Sequence, residues 1–241
     1  MQFDPRTVAR EIPGVLDEVF PQLTPGVVAR FNSSATTVNV TPFRPALLEH
    51  STIQRSMLFE LACVVGEQFL QGAQQVDWDR CTVEALERQR GYFDAQLPVE
   101  LSSADRVLAE IVGANLANAL CEMAGSASAP VTIRPRIPGI EWVASGSGDF
   151  SIGPTLIEVK CTSKRFSSAD YRQIAIYWLL SFAASIEGRG AEWKNLMLFN
   201  PRSGEKVLMR SDALLLVISG GRTKVDVLQL FQSLIGSRLT R

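Results

Sequence analysis

Residues 145–180 read SGSGDFSIGPTLIEVKCTSKRFSSADYRQIAIYWLL. Asp149 follows Gly148 at the head of one short β-rich run, DFSI (149–152), and Glu158 and Lys160 lie two apart on the next, TLIEVKCT (155–162). Side chains alternate across a strand, so residues 158 and 160 share a face while Ile157 and Val159 point into the core. Gly153-Pro154 supplies the turn that folds the two runs into a hairpin and brings Asp149 toward Glu158. Two converging carboxylates repel one another unless a cation lies between them, and hard oxygen ligands without histidine suit Mg²⁺ or Mn²⁺. A lysine beside such a pair holds or deprotonates a water, or stabilises charge on a phosphate in transfer. The set suits metal-assisted phosphodiester hydrolysis. An E-x-K triplet alone says little: with charged residues at 20% of the chain, it is expected about once by chance. On a surface strand it is usually a solvated face. Here it is embedded in apolar residues (LIEVK), stands after an acid that follows glycine, and precedes Gln173 and Tyr177 on a strongly apolar helix. Charges on strands that otherwise look buried need a reason.

Outward from this stretch, Ser102 or Ser103 caps a helix through Val107, Leu108, Ile111, Val112, Leu116 and Leu120 that Gly125 ends. VTIRPRI (131–137) and IEWVA (140–144) read as further strands, and a second long helix begins near Ser168 and continues to Glu187. NLMLFN (195–200) and KVLMR (206–210) are strands around the turn PRSGE. Residues 212–218 are open between strand and helix, and Gly220-Gly221 precedes a closing helix from Thr223 to Ile235. Toward the N-terminus, residues 5–20 form an amphipathic helix interrupted near Pro13, Val27–Val40 contains strand-like VVARF and TTVNV, and helices run over Thr52–Gln71 and, capped by Thr82, to Gln96. The order predicts an α/β fold with a mixed sheet.

The chain has 241 residues, 46% of them hydrophobic, enough for one large domain or two small ones. MQFDPRTVAR lacks the basic-then-apolar pattern of a signal peptide, and the run Ile174–Ile186 falls short of the roughly 20 residues that span a bilayer. No membrane association and a cytoplasmic location are expected. Cys63, Cys81, Cys121 and Cys161 form no C-x-x-C pair and His50 is the lone histidine, which argues against a zinc site and a disulfide framework; any Ser-His-Asp triad would have to use His50. There is no G-x-x-x-x-G-K-[ST] or G-x-G-x-x-G motif, and Ser145-Gly146-Ser147-Gly148 more simply presents Asp149. ATP hydrolysis would belong to a companion ATPase or other subunit. The net charge of −1 means that any nucleic-acid affinity has to come from a local patch.

Gly148-Asp149, Glu158-Val159-Lys160 and Gln173-Ile174-Ala175-Ile176-Tyr177 resemble the signature of the PD-(D/E)xK nuclease superfamily, and the Q-x-x-x-Y element is similar to that of its RecB-like branch. The resemblance covers roughly Ser102 to Arg210. No proline precedes Asp149, but glycine is common there in RecB-like members. The resemblance implies a restriction-endonuclease-like core over 101–241, a central mixed β-sheet flanked by helices, with residues 1–100 as a mainly helical accessory region. It implies a Mg²⁺-dependent (or Mn²⁺-dependent) deoxyribonuclease acting in restriction, phage defence or repair. Asp149, Glu158 and the Val159 carbonyl would bind the metal, Lys160 would orient the attacking water, and Gln173 and Tyr177 would support the site. Many members add a helical glutamate facing the metal; Glu110 is the candidate, with Glu122 second. Arg134, Arg136, Lys164, Arg165 and Arg172 gather in sequence around these acids as a phosphate track. Phe166 or Tyr171 is expected to stack on a base, and Trp178 to lie in the core. The alternative is an inactive nuclease-fold subunit that binds nucleic acid or a partner protein, and homo-oligomers remain open.

Overall fold

The computed structural model describes residues 4–11, 15–90, 98 and 100–239. The elements run α1 (Pro5–Glu11), α2 (Val15–Val19), α3 (Pro25–Ser33), β1 (Thr36–Thr37), α4 (Pro45–Glu49), α5 (Arg55–Leu70), α6 (Trp78–Gln89) and α7 (Ser103–Ala127). They continue with β2 (Val131–Ile133), β3 (Arg136–Ile137), β4 (Gly146–Ser147), β5 (Phe150–Ile152), β6 (Thr155–Val159), α8 (Ser168–Ile186), β7 (Asn195–Phe199), β8 (Glu205–Arg210), α9 (Ser211–Ile218) and α10 (Lys224–Leu239).

The two long helices start where their caps dictate. Ser102 accepts the Asp105 N–H at 3.1 Å while Asp105 accepts the Ser102 N–H at 3.0 Å, and Ser167 and Asp170 form the same reciprocal box at the head of α8. Asp105 also accepts from the hydroxyls of Ser51 at 2.6 Å and Thr52 at 3.0 Å, tying the approach to α5 onto α7. Helix α7 runs past the expected stop at Gly125 and ends at Ser128 in the left-handed conformation.

Six strands form one mixed sheet in the order β1-β8-β7-β6-β5-β2, with β6 and β7 parallel and every other pair antiparallel. Parallel neighbours require a crossover, and α8 provides it. Both faces are covered. Leu156, Leu196, Leu198, Val207 and Met209 pack beneath α8, α9 and α10, together with Val8 of α1 and Val28 of α3. Phe150, Ile152, Ile157, Val159, Met197 and Phe199 pack against Leu116 and Leu120 of α7 and Cys63 of α5. A third cluster joins α5, α6 and α7 through Met57, Leu61, Val65, Cys81 and Leu108. Among the described residues before 100, β1 is an edge strand of this sheet, Val8 of α1 and Val28 of α3 pack in one of its clusters, and Cys63 of α5 packs in the other.

Three further local expectations differ from the structure. VVARF is helical, in α3, because Thr24 caps the turn by accepting the Val27 N–H and Pro25 takes the first helical position. Helix α6 begins four residues ahead of Thr82: Asp77 is the cap, and the Thr82 hydroxyl donates back to the Trp78 carbonyl at 2.7 Å. IEWVA is a tight turn closed by one bridge between Ile140 and Val143, with Glu141 at φ 47°, which a strand cannot contain. The ambiguous stretch after Arg210 is the helix α9. The interruption near Pro13 and the end at Gln96 lie outside the described residues. Cys63 and Cys81 are buried, Cys161 is half-buried and Cys121 is exposed; all four are free thiols. Among the described residues one helix, α7, is long and apolar enough by composition to cross a membrane, and half of that apolar window is buried within the molecule.

Candidate active site

The pairing of β5 with β6 matches Phe150 to Ile157, Ser151 to Leu156 and Ile152 to Thr155, so one step further the register sets Asp149 opposite Glu158. There the backbone ladder stops and a side chain replaces it: Asp149 Oδ2 accepts the Val159 N–H at 2.8 Å. Glu158 is 1% exposed. Its Oε2 accepts from Gln173 Nε2 at 2.8 Å, while its Oε1 is buried and finds no hydrogen-bond partner among the described residues. A buried carboxylate oxygen without a partner costs free energy comparable to a lost charged hydrogen bond. The backbone beside it is glycine, and a Cβ on Gly148 would crowd Leu156 at 3.0 Å and Glu158 Oε1 at 3.4 Å. Removal from water, followed by repulsion from Asp149, pushes the Glu158 pKa up to about 8, against the opposing pull of Lys160 and Arg6.

Helix α8 closes the site from one side. Gln173 and Tyr177, one turn apart, face the hairpin: Gln173 Oε1 accepts from Lys160 Nζ at 2.9 Å, and Gln173 Nε2 also donates to the Tyr177 hydroxyl at 3.2 Å. Lys160 Nζ lies 3.8 Å from both Glu158 Oε2 and Asp170 Oδ1. Burial pushes the Tyr177 phenol well up, so it remains a neutral hydroxyl. Asp149, Glu158, Lys160, Gln173 and Tyr177 therefore meet in one place.

Helix α5 closes the other side and brings what the sequence reading missed. Glu60 and Glu67 are 4% and 7% exposed, and with Cys63 they line a cleft of about 490 Å³ that also contains Asp149, Gly148 and Tyr177. Glu67 is gripped by both terminal nitrogens of Arg88 at 2.9 and 2.7 Å. Arg6 stands 3.9 Å from Glu60 Oε1. Burial, then Asp149, raises the Cys63 thiol well above its ordinary range, so it is no thiolate nucleophile. A second cleft of about 390 Å³ contains Arg6, Arg55, Phe59, Lys160, Lys164, Arg165 and Asp149. The first opening is rich in carboxylates and the second in cations.

Glu110 and Glu122 are exposed on α7 and line neither cleft; Glu60, on the neighbouring helix α5, lines the same cleft as Asp149. The basic residues divide. Lys164 and Arg165 line the second cleft, Arg134 lines the first and donates its N–H to the Asp149 carbonyl at 2.9 Å, Arg136 belongs to a separate hollow with Glu141 and Arg189, and Arg172 is paired with Asp17. The expected stacking by Phe166 or Tyr171 is corrected: they are 2% and 0% exposed, and the Tyr171 hydroxyl is tied to Asn32 at 2.9 Å. Trp178 is in the core.

No protein-family model matches the chain, and no curated protein is significantly similar to it. Among the described residues no three His, Cys, Asp or Glu side chains already converge at metal-ligating distance. The donor set nonetheless fits a hard divalent cation: oxygen ligands only, one of them buried and unpartnered, beside a second carboxylate whose repulsion a cation would relieve.

Proposed function

We propose that the chain is a divalent-metal-dependent nuclease that hydrolyses phosphodiester bonds in DNA, built on a restriction-endonuclease-like core of the PD-(D/E)xK kind. The observation that carries this reading is the orphaned, buried Oε1 of Glu158, opposite Asp149 in the hairpin register and with Lys160 alongside. Asp149 and Glu158 would hold the cation, with the Val159 carbonyl at the end of β6 and Glu60 across the cleft completing the oxygen set. A bound Mg²⁺ or Mn²⁺ supplies an activated water and draws charge from the phosphate.

The chain's own groups do the rest. Gln173 holds Lys160 and Glu158 in fixed relation, so the ammonium is positioned to donate a hydrogen bond to the attacking water and orient it. Arg55, Lys164 and Arg165 provide a cationic track for neighbouring phosphates on one side of Asp149. Cys63 and Tyr177, held neutral by burial, do not themselves compete with water as nucleophiles. Restriction, phage defence or repair in the cytoplasm would suit such an enzyme, with any motor function left to a companion ATPase.

The test is incubation of the purified protein with linear and circular DNA in Mg²⁺, Mn²⁺ or EDTA, alongside Asp149→Asn and Lys160→Ala. Cleavage that requires the metal and both side chains is expected. Cleavage that persists in EDTA, or unchanged in either variant, overturns the mechanism, and its absence throughout leaves the inactive binding subunit as the better reading.

A further inference from the structure

Of the aromatic residues that line the two clefts, Phe150 and Tyr177 are 1% and 2% exposed, whereas Phe59 is half-buried. Phe59 packs against the cluster around Cys63, Phe150 and Val159 and at the same time borders the second cleft. The core thus steadies this side chain while part of it stays open to a ligand. Arg55, one helical turn earlier on the same face of α5, lines the same opening. Lys164 and Arg165 line it from the loop after β6, and that loop is pinned at both ends. Asn200 donates to the Thr162 carbonyl at 2.7 Å, the Thr162 hydroxyl accepts the Lys164 N–H at 3.0 Å, and Asn32 donates to the carbonyl of the buried Phe166 at 2.8 Å. Arg55, Lys164 and Arg165 are exposed, and among the described residues no carboxylate pairs with their side chains. Cations without counter-ions, beside an accessible ring, suit a ligand that brings both negative charge and flat aromatic surface.

We propose that the second cleft is a nucleotide subsite, in which Phe59 stacks on the base of one unpaired nucleotide and Arg55, Lys164 and Arg165 hold the phosphates that flank it. The proposal rests on the nuclease reading and adds the form of its substrate, a single strand or frayed end of DNA. Asp149 and Lys160 also line this cleft, so the bound nucleotide is a neighbour of the scissile phosphate. A cleft of about 390 Å³ is within the range that encloses a molecule of nucleotide size. In a duplex both faces of a base are covered by its neighbours in the stack. A base can lie on Phe59 only after leaving that stack, and an unpaired strand does so most easily. An aromatic platform beside a cationic groove binds such strands whatever their sequence, because every base has a flat π-face.

The test measures binding by fluorescence anisotropy in EDTA with three DNA probes: a short oligothymidylate, an abasic oligomer with the same number of phosphates, and a blunt duplex of the same length. Wild type is expected to bind the oligothymidylate more tightly than either of the others. Phe59→Leu, which keeps an apolar side chain against the core, is expected to lose about tenfold in affinity for the oligothymidylate and to bind the abasic oligomer as wild type does. Phe59→Trp is expected to retain the preference for bases. The double variant Lys164→Ala, Arg165→Ala is expected to weaken both single-stranded probes alike and to flatten the dependence of binding on salt. An equal loss by Phe59→Leu on both single-stranded probes, or none on either, overturns the proposal, and so does tighter binding of wild type to the duplex. If Phe59→Leu does not fold, Phe59→Met takes its place with the same expected outcomes. Cleavage in Mg²⁺ or Mn²⁺ then separates the two readings. A protein that shows the base preference but never cuts keeps the subsite and loses the nuclease reading, whereas one that cuts but binds both single-stranded probes equally keeps the nuclease reading and loses the subsite.

Discussion

The side-chain amide of Gln173 donates to Oε2 of Glu158 at 2.8 Å, so a neutral group on α8 fixes the most deeply buried carboxylate of the site. Replacing Gln173 with Leu strands that oxygen and leaves the Lys160 ammonium with only its 3.8 Å ion pairs to Glu158 and Asp170 among its described contacts. Each unsatisfied group costs about 1–3 kcal/mol. The expected result is a lower denaturation midpoint together with a loss of cleavage rate of about tenfold or more, measured on the same preparation by urea titration and a DNA cleavage assay.

The Glu158 carboxyl, pushed up to about 8 by burial and by Asp149, gives the metal-free protein an unusual pH profile. The folded state binds this proton more tightly than the unfolded chain, whose carboxyl has an ordinary pKa near 4.3. Its contribution to stability is therefore fully present below about pH 4.3 and is lost as pH rises through 8. In EDTA, unfolding free energy is expected to fall as pH rises across this window. Glu158→Gln is expected to remove that slope, to be more stable than wild type at pH 8.5, and to be inactive. A wild-type stability that climbs from pH 5 to 8.5 in EDTA contradicts this account.

Glu60 and Glu110 separate two versions of the site. Glu60→Ala removes a buried carboxylate that lines the same cleft as Asp149, whereas Glu110 is exposed on α7. Cleavage by Glu60→Ala is expected to fall at least tenfold with weaker Mn²⁺ binding, and Glu110→Ala to stay near wild type on both measurements.

The forked ion pair between Arg88 and Glu67 is nearly closed off from water, with side-chain exposures of 14% and 9%. Arg88→Met leaves a buried charge without its counter-ion and is expected to destabilise by about 3–5 kcal/mol. Adding Glu67→Gln removes the stranded charge, and chemical denaturation should show most of the loss recovered.

Helices α5 and α7 cross at Gly66 and Gly113. A Cβ on Gly113 would meet Val65 at 2.6 Å and the Ala62 carbonyl at 2.9 Å. Gly113→Ala must push α5, and Glu60 with it, away from the hairpin. A stability loss of about 1–3 kcal/mol with reduced cleavage is expected. Gly125→Ala, later in α7 and with nothing within 4 Å, is the control, and should gain about 0.5–1 kcal/mol through helix propensity.

The parts legible in the sequence are those where one local signal dominates. The Ser102 and Ser167 caps, the alternation along residues 155–159 and the Gly153-Pro154 turn each dictate their element with little help from the rest of the chain. The misread parts have competing signals. VVARF has β-branched residues, but Thr24-Pro25 just ahead sets a helix start, and Thr82 satisfies its hydroxyl within a helix already begun. Glu60 was invisible for a related reason: attention to the apolar positions of α5 hides its acids. Glu60, Cys63 and Glu67 recur at helical spacing on a helix buried almost all round, and acids on such a face were the available signal. Phe166 and Tyr171 look accessible in sequence because charged residues surround them; only tertiary packing, through Asn32 and Phe31, buries them.

The crossover between β6 and β7 has a consequence for biosynthesis. Glu60 leaves the ribosome about ninety residues before its companion at 149, and the strand bearing residue 158 gains its parallel neighbour only after the whole of α8 and residues 195–199 have been made. A nascent chain holds these acids on segments that have not yet met. The cluster arises only once β7 has been made, in molecules whose sheet has begun to close.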